Sequence, residues 1–161
     1  MAGLLQHYEL MKPYIKVADE RDAIRLAKNL REEDKQELKA YGNLKYDEAL
    51  KMGVAQSKIP LAIYDKEGKI VFMCGVRVIN SSLGQIWLLA SPRIEKLSIP
   101  FLRNCKAGID LFTQDHKLLF NYVDVRNELH IKWLRWCGFT FINKHEEFGF
   151  EKRPFYEFVK I

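Results

Sequence analysis

The stretch from Leu118 to Phe141 constrains this chain more than any other. Its first six residues, Leu118-Leu119-Phe120-Asn121-Tyr122-Val123, form an apolar run of β-formers broken only by Asn121, which predicts an interior strand. Asp124-Val125-Arg126-Asn127 follows, and then a helical run from Glu128 to Cys137. Asn127 is placed as an N-cap, its side-chain oxygen accepting from an amide of the first turn. Leu129, Trp133 and Cys137, with Trp136 beside them, recur at helical spacing and predict one apolar stripe. Gly138 then stops the helix, because glycine takes positive φ without strain, and Phe139 is placed to pack back on the last turn. The expected order is strand, cap, short helix, glycine stop, strand.

The rest of the chain supplies elements on both sides of this unit. Residues 3 to 11 predict a short leading helix within 1–12, ended by Pro13, and Tyr14 to Val17 alternates as a first strand. Asp19 caps a helix expected to bury Ala23, Ile24, Ala27 and Leu30. Further helices are expected over Glu32 to Tyr41, stopped by Gly42, and over Tyr46 to Gln56. Pro60 to Tyr64 and Ile70 to Ile79 flank Asp65-Lys66-Glu67-Gly68, a hairpin connection. Gln85 to Ala90 predicts a strand buried on both faces, and Ser91 to Leu97 a loop. Ser98 is placed to cap a helix with Phe101, Cys105, Ile109 and Phe112 on its core face. Phe155 to Ile161 alternates as a last strand, after a polar connection from Asn143 to Pro154.

That order, with Tyr122-Val123-Asp124-Val125-Arg126-Asn127 followed by Trp133-Leu134-Arg135-Trp136-Cys137-Gly138-Phe139, resembles the GNAT superfamily of acetyl-CoA-dependent N-acyltransferases. The wording is closer still to GNAT-like proteins of tailed bacteriophages, including internal virion proteins. The resemblance implies a single domain over 1–161 with an α/β, mostly antiparallel central sheet, parallel fourth and fifth strands and flanking helices, in the order β-α-α-β-β-β-α-β-α-β-β. It implies transfer of an acetyl group from acetyl-coenzyme A to an amine, or a non-catalytic virion or assembly protein that keeps the fold. Partners would be an amine substrate, or a phage or host protein, in the bacterial cytoplasm or the virion.

The same resemblance assigns candidate positions. The fourth strand brings Leu88, Leu89 and Ala90 to the thioester and pantetheine, with strand amides aimed at the oxygen that gains charge. The family's pyrophosphate loop, Arg or Gln, two residues, Gly, one residue, then Gly or Ala, is replaced here by Pro92-Arg93-Ile94-Glu95-Lys96-Leu97-Ser98, which has no glycine. Arg93, Lys96 and Ser98 are the residues left to hold phosphates there, by charge and at the helix start. Asn127 matches a helix-start asparagine that contacts the cofactor in relatives. The family's general-acid tyrosine is replaced by Leu134, which cannot donate a proton. His130 is the catalytic candidate that remains, although a lone histidine one turn from the cleft reads as a surface residue.

Composition narrows the alternatives. With 161 residues, 48% of them apolar, the chain can bury a core without disulfides or metals. Its three cysteines, Cys74, Cys105 and Cys137, are far apart and read as reduced core residues. No apolar run is long enough to span a bilayer, and no signal-peptide pattern opens the chain, so no membrane partner is expected. A net charge of +5 permits an anionic partner and leaves a basic nucleic-acid-binding module as a third reading, but basic and acidic residues are interleaved and no basic stripe marks a nucleic-acid groove. His7, His116, His130 and His145 show no metal-ligand spacing, Glu146-Glu147 reads as a solvated pair, and the aromatics of residues 133–141 have core spacing rather than that of a base-stacking face.

Overall fold

A computed structural model describes residues 15–97 and 99–161, apart from the side chains of residues 99–101, 105, 112 and 113. The expected leading helix, the Ser98 cap and the contacts of Phe101, Cys105 and Phe112 lie outside what is described. The elements are β1 (Ile15–Val17), α1 (Glu20–Ala27), α2 (Glu32–Gly42), α3 (Tyr46–Gln56), β2 (Leu61–Tyr64), β3 (Ile70–Val78) and β4 (Leu83–Ala90). A 3₁₀ turn (Pro92–Lys96) leads to α4 (Ile99–Asp115), β5 (Leu118–Asp124), α5 (Glu128–Trp136), β6 (Thr140–Phe148) and β7 (Arg153–Lys160). The strands form one seven-stranded sheet in the order β1-β2-β3-β4-β5-β7-β6. All neighbours are antiparallel except β4 and β5, whose parallel pairing follows from the crossover helix α4 between them.

Two apolar cores cover the sheet. On one face Ile109 of α4 and Ile131, Leu134 and Cys137 of the α5 segment pack with Leu119, Val123 and Phe158. On the other, Ala23 and Leu26 of α1, Leu38 of α2 and Leu50 of α3 pack with Ala62, Met73 and Leu89. Asp19 caps α1 through a reciprocal box with Asp22, which places Leu26 in the core and leaves Ile24 exposed, contrary to its expected burial. Helix α2 runs through Gly42 and ends on Asn43 in the left-handed region, so Asn43 and not Gly42 is the stop.

One further expectation fails at the far edge of the sheet. The polar connection predicted from Asn143 to Pro154 is instead the longer part of β6 and a tight turn. As an edge strand, β6 needs apolar residues on one face only, which hides its period. Gly149, at φ +75°, lets the turn lie flat on the end of α2, where an added Cβ would stand 2.6 Å from the Ala40 carbonyl oxygen. The amides of Phe150 and Glu151 donate to the Tyr41 and Ala40 carbonyls at 3.1 and 3.0 Å, satisfying the last turn of α2.

Helix α5 stops as the sequence predicts. Gly138 has φ +90°, its amide donates to Arg135 O at 3.0 Å, and the Phe139 amide donates to Leu134 O at 3.0 Å. That pair of bonds is a Schellman motif, and Lys160 Nζ adds a bond to Cys137 O at 2.9 Å. Gly138→Val is expected to cost about 2 kcal/mol, because a β-branched residue at positive φ is strained and its Cβ would crowd Lys160 Nζ. Urea unfolding of the two proteins checks this, and an unchanged midpoint would contradict it.

Candidate active site

Strands β4 and β5 stay paired for only three residues, Leu83 with Leu118, Gly84 with Leu119 and Gln85 with Phe120, and then part. Asn121, the one polar residue in the β5 run, stands where they separate. Its Nδ2 donates to Ile86 O at 2.6 Å, while its Oδ1 accepts from Gln85 Nε2 at 3.2 Å and from the Tyr122 amide at 2.8 Å. The side chain thus replaces the next rung of the ladder and satisfies the backbone where the ladder stops. Beyond it the strands enclose a cavity of about 210 Å³ that opens through the sheet. Tyr41, Met52 and Trp87 line it on the α2–α3 face, and Ile109, Trp133 and Leu134 on the α4–α5 face. The opening also explains why β4 is not buried on both faces, as the sequence predicted: Gln85, Trp87 and Leu88 are half-buried because they border it.

A buried polar cluster fills the wide end of the gap. The backbone groups of Ala90 point toward β5 after β5 has turned away, and α2 supplies their partners. The Ala90 amide donates to Asp34 Oδ2 at 2.8 Å, and its carbonyl accepts from the Arg31 amide at 2.9 Å. Across the gap the Asp124 amide donates to Glu37 Oε1 at 2.8 Å. Leu88 lies two residues before Ala90, so its amide and carbonyl face the same opening, whereas those of Leu89 face β3.

Asn127 is not the side-chain cap that the sequence predicts. It sits at the N-cap position without a side-chain capping bond and is fully buried. Its Oδ1 accepts from Arg31 Nη1 at 3.1 Å, and its Nδ2 donates to Asp34 Oδ1 at 2.9 Å. Arg31 Nη1 also reaches Asp34 Oδ1 at 3.1 Å. The amide therefore ties α5 to α2 by bonding both members of a buried Arg–Asp pair, although Arg31 Nε is left without a partner among the described residues.

His130 is not at the surface either. It is 9% exposed and, with Ile131, Leu134 and Cys137, forms the inward face of α5, while Leu129 and Trp136 of the expected stripe are 36% and 43% exposed. Its ring comes through the gap from one sheet face to meet Asp34 and Glu37 from the other, with one ligating atom of each residue within 4.8 Å of the others. His130 Nδ1 and Trp133 Nε1 are buried and have no hydrogen-bond partner among the described residues. Both residues line the cavity, so the two atoms are placed to meet a polar group brought by a ligand.

Charge in the cluster is shaped by burial. Glu37 is pushed up to about 8, first by burial and then by the neighbouring Asp34 charge. Burial also raises Asp34, against the pull of Arg31, the Ala90 amide and Asn127. His130 is pushed down to about 4 by burial and by Arg31, so its ring is neutral at neutral pH. Asp124 stays below its ordinary range: burial raises it, but hydrogen bonds from Arg126 and the charges of Arg126 and Arg153 outweigh that. Neither Asp34 nor Glu37 carries a sequence signal of its role, since both lie in a strongly charged helix whose carboxylates read as solvated.

The other expected residues separate from this centre. Arg93 turns to the β2–β3 hairpin and pairs with Asp65 and Glu67, both at 2.5 Å. Lys96 is exposed at the end of the 3₁₀ turn, and Ser98 is outside the described residues. Leu134 is buried in the α5 core, so no proton donor stands there.

Opposite protonation shifts in one cluster leave a mark on stability. Folded Glu37 keeps its proton to about pH 8 while the unfolded chain loses it near its ordinary 4.5, so this group lowers stability as pH rises through that window. Unfolded His130 holds a proton up to its ordinary 6.5 and the folded ring only below about 4, so this group lowers stability as pH falls from 6.5 to 4. Above pH 6.5 the Glu37 effect is unopposed by His130, and one proton gives a decline approaching ~1.4 kcal/mol per pH unit. Glu37→Gln is expected to flatten the decline between pH 6.5 and 8 in denaturant titrations. A parallel slope in both proteins would contradict it.

No protein-family model and no curated protein matches the chain. Solved structures do. A ribosomal-protein-alanine N-acetyltransferase from Brucella melitensis aligns over 91% of this chain and 98% of its own, with TM-score 0.67 and 13% identity. A GNAT superfamily phosphinothricin acetyltransferase from Sinorhizobium meliloti in complex with AcCoA aligns over 91% and 86%, with TM-score 0.64 and 13% identity. A spermidine N-acetyltransferase from Vibrio cholerae in complex with CoA and spermine aligns over 91% and 93%, with TM-score 0.63 and 13% identity. These likenesses, together with the seven-stranded sheet and its parting parallel pair, establish that the chain has the GNAT fold.

Proposed function

We propose that the protein is an acyl-coenzyme A-dependent N-acyltransferase that works through the gap between β4 and β5. The observation that carries this reading is a cavity running through the sheet with unpartnered His130 Nδ1 and Trp133 Nε1 on its α4–α5 wall and the Glu37 carboxyl on the other side. Acetyl-coenzyme A would supply a thioester whose carbonyl carbon takes the amine nitrogen as the C–S bond breaks and the thiolate departs. The pantetheine arm fits the α4–α5 side, where the backbone of Leu88 and the indole N–H of Trp133 are available to its amides. Lys96 and the start of α4 are the groups left for the phosphates, since Arg93 is neutralised by two carboxylates.

Glu37 takes the proton of the attacking amine. It stands on the α2–α3 side of the opening, and its carboxyl, raised to about 8, is a stronger base once ionised than an ordinary glutamate. Asp34, Arg31 and Asn127 hold α2 and α5 at the spacing that keeps Glu37 opposite His130. The wording of residues 122–139 supports a tailed-phage member of this group, acting on an amine of a small molecule or of a phage or host protein in the bacterial cytoplasm or virion. No helix among the described residues is long and apolar enough to cross a membrane.

A second reading, a GNAT-fold virion or assembly protein without chemistry, is favoured by one observation. The Ala90 amide, placed to meet the acyl oxygen, is already bonded to Asp34. Calorimetric titration with coenzyme A and acetyl-coenzyme A separates the two. Binding followed by amine-dependent thiol release is the expected result, with the rate rising as Glu37 ionises at about pH 8. Glu37→Gln should lower kcat/KM by about 10²- to 10⁴-fold while leaving coenzyme A affinity in place. No binding at millimolar ligand would leave the non-catalytic reading.

A further inference from the structure

The gap between β4 and β5 presents a conflict of hydrogen bonding. A strand amide at its wide end is the group placed to stabilise charge on an acyl oxygen, yet that amide, Ala90 N–H, is held by Asp34 Oδ2 at 2.8 Å. An anionic acceptor already in place leaves no room for a second on the same donor. Across the gap the reverse holds: His130 Nδ1 is buried in the cavity wall and meets no acceptor among the described residues. Burying a polar ring nitrogen without a partner costs about 1–3 kcal/mol, which a ligand group can offset, and with the ring proton on Nδ1 the group required is an acceptor.

We propose that His130, donating from Nδ1–H, is the catalytic residue that polarises the acyl carbonyl, taking over from the strand amide that Asp34 occupies. The inference rests on the acyl-transfer reading above. His130 projects from α5, on the side of the sheet given to the pantetheine arm, and reaches the throat where Glu37 and Asp34 converge within 4.8 Å. A neutral ring suits the role, because burial and Arg31 hold its protonation down to about 4 and one ring nitrogen then carries a fixed N–H. The step balances without a proton from this residue. The amine nitrogen bonds to the acyl carbon, Glu37 accepts the amine proton, and the electron pair of the breaking C–S bond leaves on sulfur. His130 only donates a hydrogen bond to the oxygen as it gains charge. Arg31, paired with Asp34, keeps the carboxylate beside that oxygen from acting as a bare negative charge.

Calorimetry with two ligands tests this without turnover: acetyl-coenzyme A, and S-ethyl-coenzyme A, in which a methylene replaces the carbonyl. The wild-type protein is expected to bind the first about tenfold more tightly, the worth of one well-made buried hydrogen bond. His130→Leu should bring the ratio close to one by weakening only acetyl-coenzyme A, and His130→Asn, whose side-chain N–H lies near the Nδ1 position, should restore part of it. Since His130 is buried and a variant can fail to fold, the unmutated protein gives an independent measurement. Its ¹⁵N-labelled His130 Nδ1–H resonance should move downfield with acetyl-coenzyme A and not with S-ethyl-coenzyme A. A ratio of one in the wild type, a ratio unchanged in His130→Leu, or a resonance unmoved by bound acetyl-coenzyme A overturns the assignment while the transfer reading stands. If neither ligand binds the wild type, the transfer reading fails and the assignment fails with it.

Discussion

The parting of β4 and β5 after Gln85 and Phe120 is the constraint on which the rest of the structure depends. Beyond that point the backbone groups that face the gap lose their ladder partners in the middle of a sheet, where water is scarce and an unpaired amide is costly. Three devices meet the cost. Asn121 supplies a side-chain rung at the point of separation, α2 supplies Asp34 and Glu37 to the amides of Ala90 and Asp124, and the stretch bordered by Leu88 is left as a cavity. The gap is thus held open by polar chemistry on two sides and by apolar walls on the others.

Holding it open sets requirements at a distance. Asp34 and Glu37 reach the sheet only if α2 is fixed along its length, and its far end is held by the β6–β7 turn, where Gly149 allows backbone to lie on backbone. Its near end is held by Arg31 through Asn127, the first residue of the α5 segment. Buried ion pairs of this kind contribute little net stability, since desolvation offsets most of the attraction. Their effect here is geometric: they set α2 and α5 on opposite faces so that Glu37 and His130 meet through the sheet.

Much of this was legible in the chain. The apolar run with one asparagine, the helix with a glycine stop and the Asp65 to Gly68 turn each carry a local signal, and all appear as expected because short-range geometry decides them. The inward face of α5 was not. Of the expected stripe, Cys137 and the cavity-lining Trp133 do face the sheet, whereas Leu129 and Trp136 are exposed and Ile131 and Leu134 take their place, a rotation that only the sheet decides. A lone histidine carries no local sign of burial, which is why His130 reads as exposed from the sequence. Asn127 misled for a related reason: an asparagine at a helix start satisfies the local capping rule, and the stronger claim of a buried arginine comes from 96 residues away.

Backbone preferences and apolar periodicity act over a few residues, so the order of elements, the parallel pairing that α4 forces on β4 and β5, and the Gly138 stop of α5 are written in the chain. The site comes from packing between distant segments. Asp34 and Glu37 stand in a charged helix that reads as a solvated surface, and they turn onto the sheet only because it lacks two hydrogen-bond partners there. His130 acquires a neutral ring and an unpartnered ring nitrogen only because α5 turns it into the same gap. The physical reason is that desolvation and the loss of partners are properties of a place, and the place is made by residues far apart in the chain.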